Sequence, residues 1–203
     1  KSTLVDYIAL CLAGEALREM GANRLLEIDD LDEEALAAAV SLKDRLLDRL
    51  TALVEGGWLA AKARVKAGEG LGKLGDPRFD PGWFYLPCRF RGVAEPLMGF
   101  VRISRGAFFM GSEQGQKESH ENERGNPNPL NMPHDYWIAR YPVTVAQFSA
   151  FVDDDGYRGT HWWGTDAACE WLARGEFCPR NWESQRLHPN RPVVGVCWFE
   201  AMA

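Results

Sequence analysis

The fold of this chain is decided by the stretch Tyr141-Pro142-Val143-Thr144-Val145-Ala146-Gln147-Phe148. Pro142 breaks an extended segment, because its ring fixes φ and removes a backbone donor. Thr144 follows in the position of a helix N-cap, where a hydroxyl accepts a hydrogen bond from the first turn. The sequence therefore predicts a strand over residues 136–141 and a helix over residues 145–152. The run Asp153-Asp154-Asp155-Gly156 is predicted to end that helix.

Two further motifs lie on either side of this junction. The upstream motif is Gly106-Ala107-Phe108-Phe109-Met110-Gly111-Ser112, and the downstream motif is Arg191-Pro192-Val193-Val194-Gly195-Val196-Cys197-Trp198-Phe199-Glu200-Ala201-Met202-Ala203. Short strands are predicted over residues 97–103 and 108–110. Residues 193–196 are predicted to form a buried strand, and a helix is predicted from Trp198 onward. Residues 112–134 are predicted to be a long irregular loop.

Together these motifs resemble the first half of a formylglycine-generating-enzyme (sulfatase-modifying factor) domain, over residues 98–203. The resemblance implies an α+β fold with a C-type-lectin-like architecture, in which the Pro142–Thr144 junction is scaffold. In that family two cysteines near the C-terminus bind copper. None of the five cysteines of this sequence matches those positions by motif. We therefore expect the catalytic half to lie outside these residues, and we assign no catalytic residue, metal ligand or cofactor. Copper or calcium is expected only if the missing half supplies the family's ligands.

Residues 1–76 carry helical periodicity and form a predicted helical segment. A first helix is expected to bury a stripe of Leu4, Ile8, Leu12 and Ala16. A second helix is expected to begin at Asp30 or Asp32 as N-cap and to end at Gly56-Gly57. A third is expected to bury Leu59, Ala63, Ala67, Leu71 and Leu74. Its glycines at 68, 70 and 72 either weaken the helix or allow close packing.

Residues 77–97 are predicted to be a linker that leads into the domain. Residues 67–78 resemble the linker that precedes this domain type in large bacterial signalling proteins with a NACHT-type nucleotide-binding module. The fold is also shared with variable proteins that are diversified by retroelements. Both resemblances imply a recognition role within a larger protein.

Composition excludes some classes of partner. The chain has 203 residues and a formal net charge of −6, which argues against a nucleic-acid-binding face. It contains no apolar run long enough to span a membrane. The cysteines at positions 11, 88, 169, 178 and 197 are odd in number and lack CxxC spacing, which indicates reduced thiols and a cytoplasmic protein.

The candidate ligand-binding residues are aromatic. Trp162, Trp163, Trp171 and Trp182 lie close together in the sequence among Gly, Pro and Asn residues. Core packing is the default for such side chains, but tryptophan is also enriched at binding hot spots. We predict that Trp162, Trp163 and Trp182 include exposed ligand contacts.

Metal-binding patterns do not emerge from the sequence. The four histidines share no metal-ligand spacing, and the residue six places after Gly156 is Trp162 rather than the Glu of a calcium loop. Cys197 stands where the family usually has Ser. A packing role is expected for it, and a reactive thiol is the alternative.

Three functions follow from these observations. The favoured one is a non-catalytic module that recognises a protein or other macromolecular ligand, with the oligomeric state left open. The alternative is an oxygen- and copper-dependent formylglycine-generating enzyme. A third is a structural piece in which the helices of residues 4–74 form a docking surface.

Overall fold

The computed structural model describes residues 7, 9, 10, 12–14, 16, 19, 32–112, 125, 128–175 and 179–203. The chain divides into two compact units, Lys1–Met98 with Tyr141–Ala203 and Gly99–Arg140. Helices and antiparallel strands occur together, in agreement with the predicted α+β class. The predicted boundaries at residues 76 and 97 stay a prediction. No helix among the described residues is long and apolar enough to cross a membrane.

The larger unit contains two long helices. Helix α1 spans Glu33–Glu55, and the Asp32 carboxylate caps it by accepting a hydrogen bond from Ala35 N at 2.6 Å. Helix α2 spans Ala61–Leu74 and ends at Gly75, whose φ of 92° only glycine adopts readily. These bounds confirm Asp32 as the N-cap and Gly56 as the end of α1.

An aliphatic core joins these helices. Its buried residues are Tyr7, Leu46, Leu47, Leu50, Ala67, Leu71 and Leu74. The described residues between 7 and 19 are helical, and the Tyr7 hydroxyl donates to Ala63 O at 3.1 Å. The predicted stripe of that first helix was wrong at Leu12, which is 60% exposed, and at Ala16, which is also exposed, because the face that contains Tyr7 and Gly14 packs inward instead. Leu4 and Ile8 lie outside the described residues.

Two small hairpins and a turn follow α2. Strand β1 (Phe79–Asp80) pairs with β2 (Leu86–Pro87), and β3 (Arg89–Phe90) pairs with β4 (Val93–Ala94), both antiparallel. A 3₁₀ turn over Pro81–Trp83 connects β1 to β2.

Four shorter α-helices follow in the described residues after Tyr141. Helix α3 (Val145–Asp153) begins at the predicted N-cap Thr144, which forms a capping box with Gln147. Helix α4 spans Asp166–Leu172, α5 spans Trp182–Arg186 and α6 spans Trp198–Met202. An aromatic core lies between them and consists of Val145, Phe148, Tyr157, Trp163, Ala168 and Trp182.

The strand predicted over residues 193–196 was wrong. Val193 N donates to Val143 O at 3.0 Å, and Pro192 forms a single bridge with Thr144. Gly195 then adopts a φ of 74°, which turns the backbone out of an extended path. As a result Val194 is 61% exposed rather than buried.

The described residues of the smaller unit form two antiparallel strand pairs. Strand β5 (Phe100–Ile103) pairs with β8 (Tyr136–Ala139), and β6 (Gly106–Phe108) pairs with β7 (Leu130–Met132). The predicted strands were displaced, because Met98 and Gly99 have positive φ before β5 and Gly111 has positive φ after β6. The loop predicted over residues 112–134 lies mostly outside the described residues.

Asp135 holds the turn before β8 in the smaller unit. Its carboxylate accepts a hydrogen bond from Arg105 N at 2.8 Å and is paired with the Arg102 guanidinium. These two interactions lower the pKa of Asp135 below its ordinary value, the backbone bond contributing first.

Candidate functional site

A cleft of about 640 Å³ lies within the larger unit. One wall consists of the last turn of α2 and the segment that runs from Gly75 to Tyr85. The opposite wall consists of α3, the end of α5 and the Pro189–Asn190 segment, and Lys43 reaches the cleft from α1. The cleft therefore lies between the helical segment and the residues that follow the Pro142–Thr144 junction.

Asn190 fastens the two walls together. Its Nδ2 donates to Gly68 O at 3.1 Å and to Asp76 Oδ2 at 2.7 Å. A Cβ atom on Gly72 would lie only 2.9 Å from the Asn190 Cγ, so this approach requires glycine. The alternative in which the glycines of α2 allow close packing is thus correct for Gly72, whereas an added Cβ at Gly68 or Gly70 meets no atom within 4 Å.

Backbone hydrogen bonds fix the same segment to α3. Val145 N donates to Arg191 O at 2.8 Å, and Ala146 N donates to Pro189 O at 2.9 Å. These are donors of the first turn of α3, which have no partner within the helix. The segment 188–191 is therefore held on one side by α3 and on the other by α2.

Asp76 forms a buried salt bridge with Arg78. The guanidinium donates from Nη2 to Asp76 Oδ2 at 2.6 Å and from Nε to Oδ1 at 3.0 Å, and both side chains are buried. Burial alone would lower the pKa of Arg78, but the hydrogen bonds and charge of Asp76 outweigh it and leave that pKa above its ordinary value. The Asp76 charge is consequently balanced within the wall of the cleft.

Glu69 and Arg191 form a second polar link between α2 and the segment 188–191. The Arg191 guanidinium donates to Glu69 Oε1, and His188 Nδ1 lies 3.6 Å from the same oxygen. The hydrogen bond from Arg191 is the main reason that the pKa of Glu69 is lowered. We call the contacts of Glu69, Asp76, Asn190 and Arg191 the clasp.

The rim of the cleft at residues 81–85 has an uncommon backbone. Phe84 and Tyr85 both adopt left-handed φ values, 52° and 54°. Such conformations are rare for bulky residues and concentrate where a side chain must be aimed. Asp80 supports the turn, since its Oδ1 accepts from Gly82 N at 2.8 Å and its carbonyl accepts from Tyr85 N at 2.9 Å. The turn directs Tyr85 to the cleft.

The three predicted tryptophans do not form one surface. Trp163 is 3% exposed and its Nε1 donates to Gly156 O at 3.0 Å, while Trp182 is 5% exposed and packs edge-on against Phe148. Trp162 is 37% exposed and lies on His161. Ligand binding by these residues stays a prediction, and only Trp162 has the exposure that direct contact requires.

The cleft residues were missed because their sequence signals are weak. Lys43, Lys73 and Arg186 belong to three helices and come together only in the folded chain. A hint lies in Lys43, which has no acidic residue three or four places away on its helix to pair with.

The cysteines in the described residues are free thiols. Cys88 is half-buried, and burial followed by the nearby Asp80 raises the pKa of its thiol. Cys197 occupies the N-cap of α6, where its backbone N–H donates to Glu200 Oε2 at 2.7 Å. Cys169 donates to Trp163 O at 3.3 Å, and Cys11 and Cys178 lie outside the described residues.

No three His, Cys, Asp or Glu side chains converge as a metal site requires within the described part of the chain. None of the cysteines matches the family's copper-binding positions by motif, and we derive no chemical step through copper. The site that the described residues build is the cleft with its clasp.

Comparison with known proteins identifies relatives of part of the chain. The chain is 34% identical over 76 residues to a hercynine oxygenase of Mycolicibacterium thermoresistibile, which covers 32% of this chain and 17% of that protein. It is 29% identical over 140 residues to a hercynine oxygenase of Mycolicibacterium smegmatis, covering 64% of this chain and 31% of that protein. The chain thus spans less than a third of the length of either relative.

A family model confirms the resemblance inferred from the motifs. The model describes a sulfatase-modifying factor enzyme 1-like domain and matches residues 90–203. Because this match covers more than half of the chain, the chain belongs to the family of the sulfatase-modifying factor enzyme 1-like domain.

Proposed function

We propose that this chain is a non-catalytic recognition module of its family and that the cleft is its binding site. The observation that carries the proposal is a cleft of about 640 Å³ whose two walls are fastened by the clasp. Small-molecule sites commonly enclose roughly 300–1,000 Å³ and combine apolar lining with a few placed polar groups. The lining here has that mixture, with Phe79 and Pro81 beside Tyr85, Ser149 and Asn190.

Blocking the cleft tests this proposal. Ligand-observed NMR against a library of small metabolites would compare the unmodified protein with Ser149→Trp, which fills the cleft, and Ser184→Trp, which adds the same side chain at an exposed position of α5. We expect at least one molecule to bind the unmodified protein and Ser184→Trp but not Ser149→Trp. A library without binders, or binders that are indifferent to Ser149→Trp, would refute the cleft as the binding site. Far-UV circular dichroism checks that both variants are folded.

An oxygen-dependent enzyme is the second candidate. The observation that favours it is the 29–34% identity to two hercynine oxygenases. Oxygen consumption with hercynine, and conversion of a Cys-x-Pro-x-Arg peptide to formylglycine, would measure such activities directly. The recognition proposal expects no turnover of either substrate by the protein. Turnover of either one would replace it with an enzyme.

The wider setting belongs to the same proposal. A C-type-lectin-like architecture and a place in a larger signalling protein with a NACHT-type module are what the family resemblance implies. A macromolecular partner stays a prediction beside the small-molecule cleft.

A further inference from the structure

Three cationic side chains line the cleft from three different helices. Lys43 comes from α1, Lys73 from the last turn of α2 and Arg186 from the end of α5. Cations from separate elements meet at one place only when the folded chain brings them there. Their presence stands out because the whole chain is acidic, with a formal net charge of −6.

The two lysines form no ion pair with the described residues. Lys73 has Glu69 four places before it, an arrangement that normally pairs the two on a helix surface. Glu69 instead pairs with Arg191 and lies near His188, and Lys73 acts on it only through a longer-range charge interaction. Lys43 is half-buried and has only Ala39, Val40, Leu46 and Leu47 at the helical spacings that allow pairing.

The acidic side chains of the cleft do not balance these charges. Asp76 is neutralised by its buried pair with Arg78. Asp153 lies 3.9 Å from Arg186, a loose contact between side chains that are 61% and 48% exposed. One loosely paired carboxylate therefore faces three cations, and the low-dielectric walls concentrate the resulting positive potential.

We infer that the cleft binds a small organic anion with phosphate or carboxylate groups. This inference rests on the proposed function, because it specifies the ligand of the same cleft. Lys43, Lys73 and Arg186 meet the anionic groups. The Tyr85 and Ser149 hydroxyls offer hydrogen bonds, and Phe79 and Pro81 face the organic body. The cleft volume of about 640 Å³ far exceeds that of a bare inorganic anion, which is why an organic body is part of the inference.

Isothermal titration calorimetry at low ionic strength tests the inference with three small molecules. Fructose 1,6-bisphosphate carries phosphates, citrate carries carboxylates and fructose carries no charge. We expect one or both anions to bind and fructose not to bind. A preference for one anion identifies the charged group. Binding should weaken in 0.5 M NaCl, since salt screens such contacts.

Matched charge variants locate the binding. Lys43→Gln and Lys73→Gln should each weaken anion binding by about tenfold to hundredfold, the loss expected for one charged contact. Lys66→Gln removes a charge from an exposed position of α2 outside the cleft and should leave binding unchanged. Equal losses for Lys66→Gln, or fructose binding as tightly as the anions, would overturn the inference.

The Ser149→Trp variant separates this inference from the proposed function. One outcome is that only uncharged molecules bind and that Ser149→Trp blocks them. The cleft is then a binding site, and the assignment of an anionic ligand is wrong. If anions bind but neither Ser149→Trp nor the lysine variants change their affinity, both the anion assignment and the cleft fail.

Discussion

The aliphatic core and the aromatic core stabilise the same compact unit by different means. The aliphatic core joins α1 and α2 through leucine and alanine side chains that recur at helical spacing, and its one hydroxyl, on Tyr7, bonds to a backbone carbonyl. The aromatic core collects one or two residues from each of three helices and from the turns between them, and several carry a polar group. The packing of the aliphatic core follows from the helical periodicity of its apolar residues. The packing of the aromatic core depends on where short turns place large rings.

Two of the three buried rings of the aromatic core that carry a polar group have specific partners for it, whereas Trp182 Nε1 has no hydrogen-bond partner among the described residues. Trp163 Nε1 donates to Gly156 O, and the Tyr157 hydroxyl donates to Glu200, which also accepts from Cys197 N. Buried polar groups are costly when unpaired, so these contacts restrict the rings of Trp163 and Tyr157 to one arrangement. We therefore expect the aromatic core to tolerate less change than the aliphatic one.

Truncating Trp163 should produce the largest loss of stability. Trp163→Ala removes a ring that contacts Trp171, Tyr157 and Phe151 and should lower the free energy of unfolding by about 3–5 kcal/mol. Trp162→Ala, at a side chain that is 37% exposed, should lower it by about 1 kcal/mol. Urea unfolding followed by circular dichroism measures both. Equal losses would show that burial does not distinguish these neighbours.

The matching change in the aliphatic core is Leu71→Ala. Leu71 is fully buried, and its truncation should lower the free energy of unfolding by about 2–4 kcal/mol. Val65→Ala on the exposed side of the same helix should change it by less than about 0.5 kcal/mol. If Leu71→Ala proved more damaging than Trp163→Ala, the contrast between the two cores would be reversed.

The two cores also differ in how far the sequence predicts them. Ala67, Leu71 and Leu74 were predicted from their spacing, as were the caps Asp32 and Thr144, because these signals act within one turn of helix. Trp163 and Trp182 were predicted as candidate ligand contacts, yet they are buried. Residue type cannot distinguish a hot-spot tryptophan from a core one when the surrounding turns decide its direction.

The cleft could not be predicted for the same reason. Asn190 lies 114 positions from Asp76 along the chain, and no local pattern links them. Gly195 likewise interrupts a predicted strand, because it adopts a positive φ that the neighbouring residues do not predict. The family resemblance indicated the scaffold, while the site depends on long-range packing between residues outside its most specific motif.

Removing one hydroxyl tests the polar part of the aromatic core. Tyr157→Phe keeps the ring but leaves buried Glu200 without one of its donors, which should lower the free energy of unfolding by about 1–2 kcal/mol. Tyr136→Phe, at a side chain that is 40% exposed, serves as the control and should change it by less than about 0.5 kcal/mol. A stabilised Tyr157→Phe protein would mean that ring packing alone fixes this core.

Substitutions at two glycines of α2 test how closely this helix packs against Asn190 of the clasp. Gly70→Ala should raise the free energy of unfolding by about 0.5–1 kcal/mol, since alanine favours helix and its Cβ meets no atom within 4 Å. Gly72→Ala should lose that gain and lower stability by about 1 kcal/mol, because its Cβ would press on Asn190. Thermal unfolding of both variants gives the comparison. Equal gains would show that Asn190 moves aside freely.

The smallest expected effect is the pH dependence of the link between Glu69 and Arg191. The folded pKa of Glu69 is lowered, mainly by the hydrogen bond from Arg191, with His188 and Lys73 adding to it. The link therefore contributes stability above the ordinary carboxyl pKa of 4.5 and loses it as pH falls through the lowered folded pKa. Because Arg191 is about half exposed, the contribution should stay below about 1 kcal/mol.

Arg191→Gln should accordingly be less stable than the unmodified protein at pH 7, and the difference should shrink at acidic pH. Glu69→Gln should show the same shrinking difference, and the double variant should lose little more than either single one, since the two side chains act as a pair. Arg158→Gln, whose partner Asp155 is far more exposed than Glu69, is the control for surface charge. A difference that did not change with pH would mean that Arg191 stabilises the clasp through the packing of its stem rather than through its charge. The clasp would then resemble the aliphatic core more than the aromatic one.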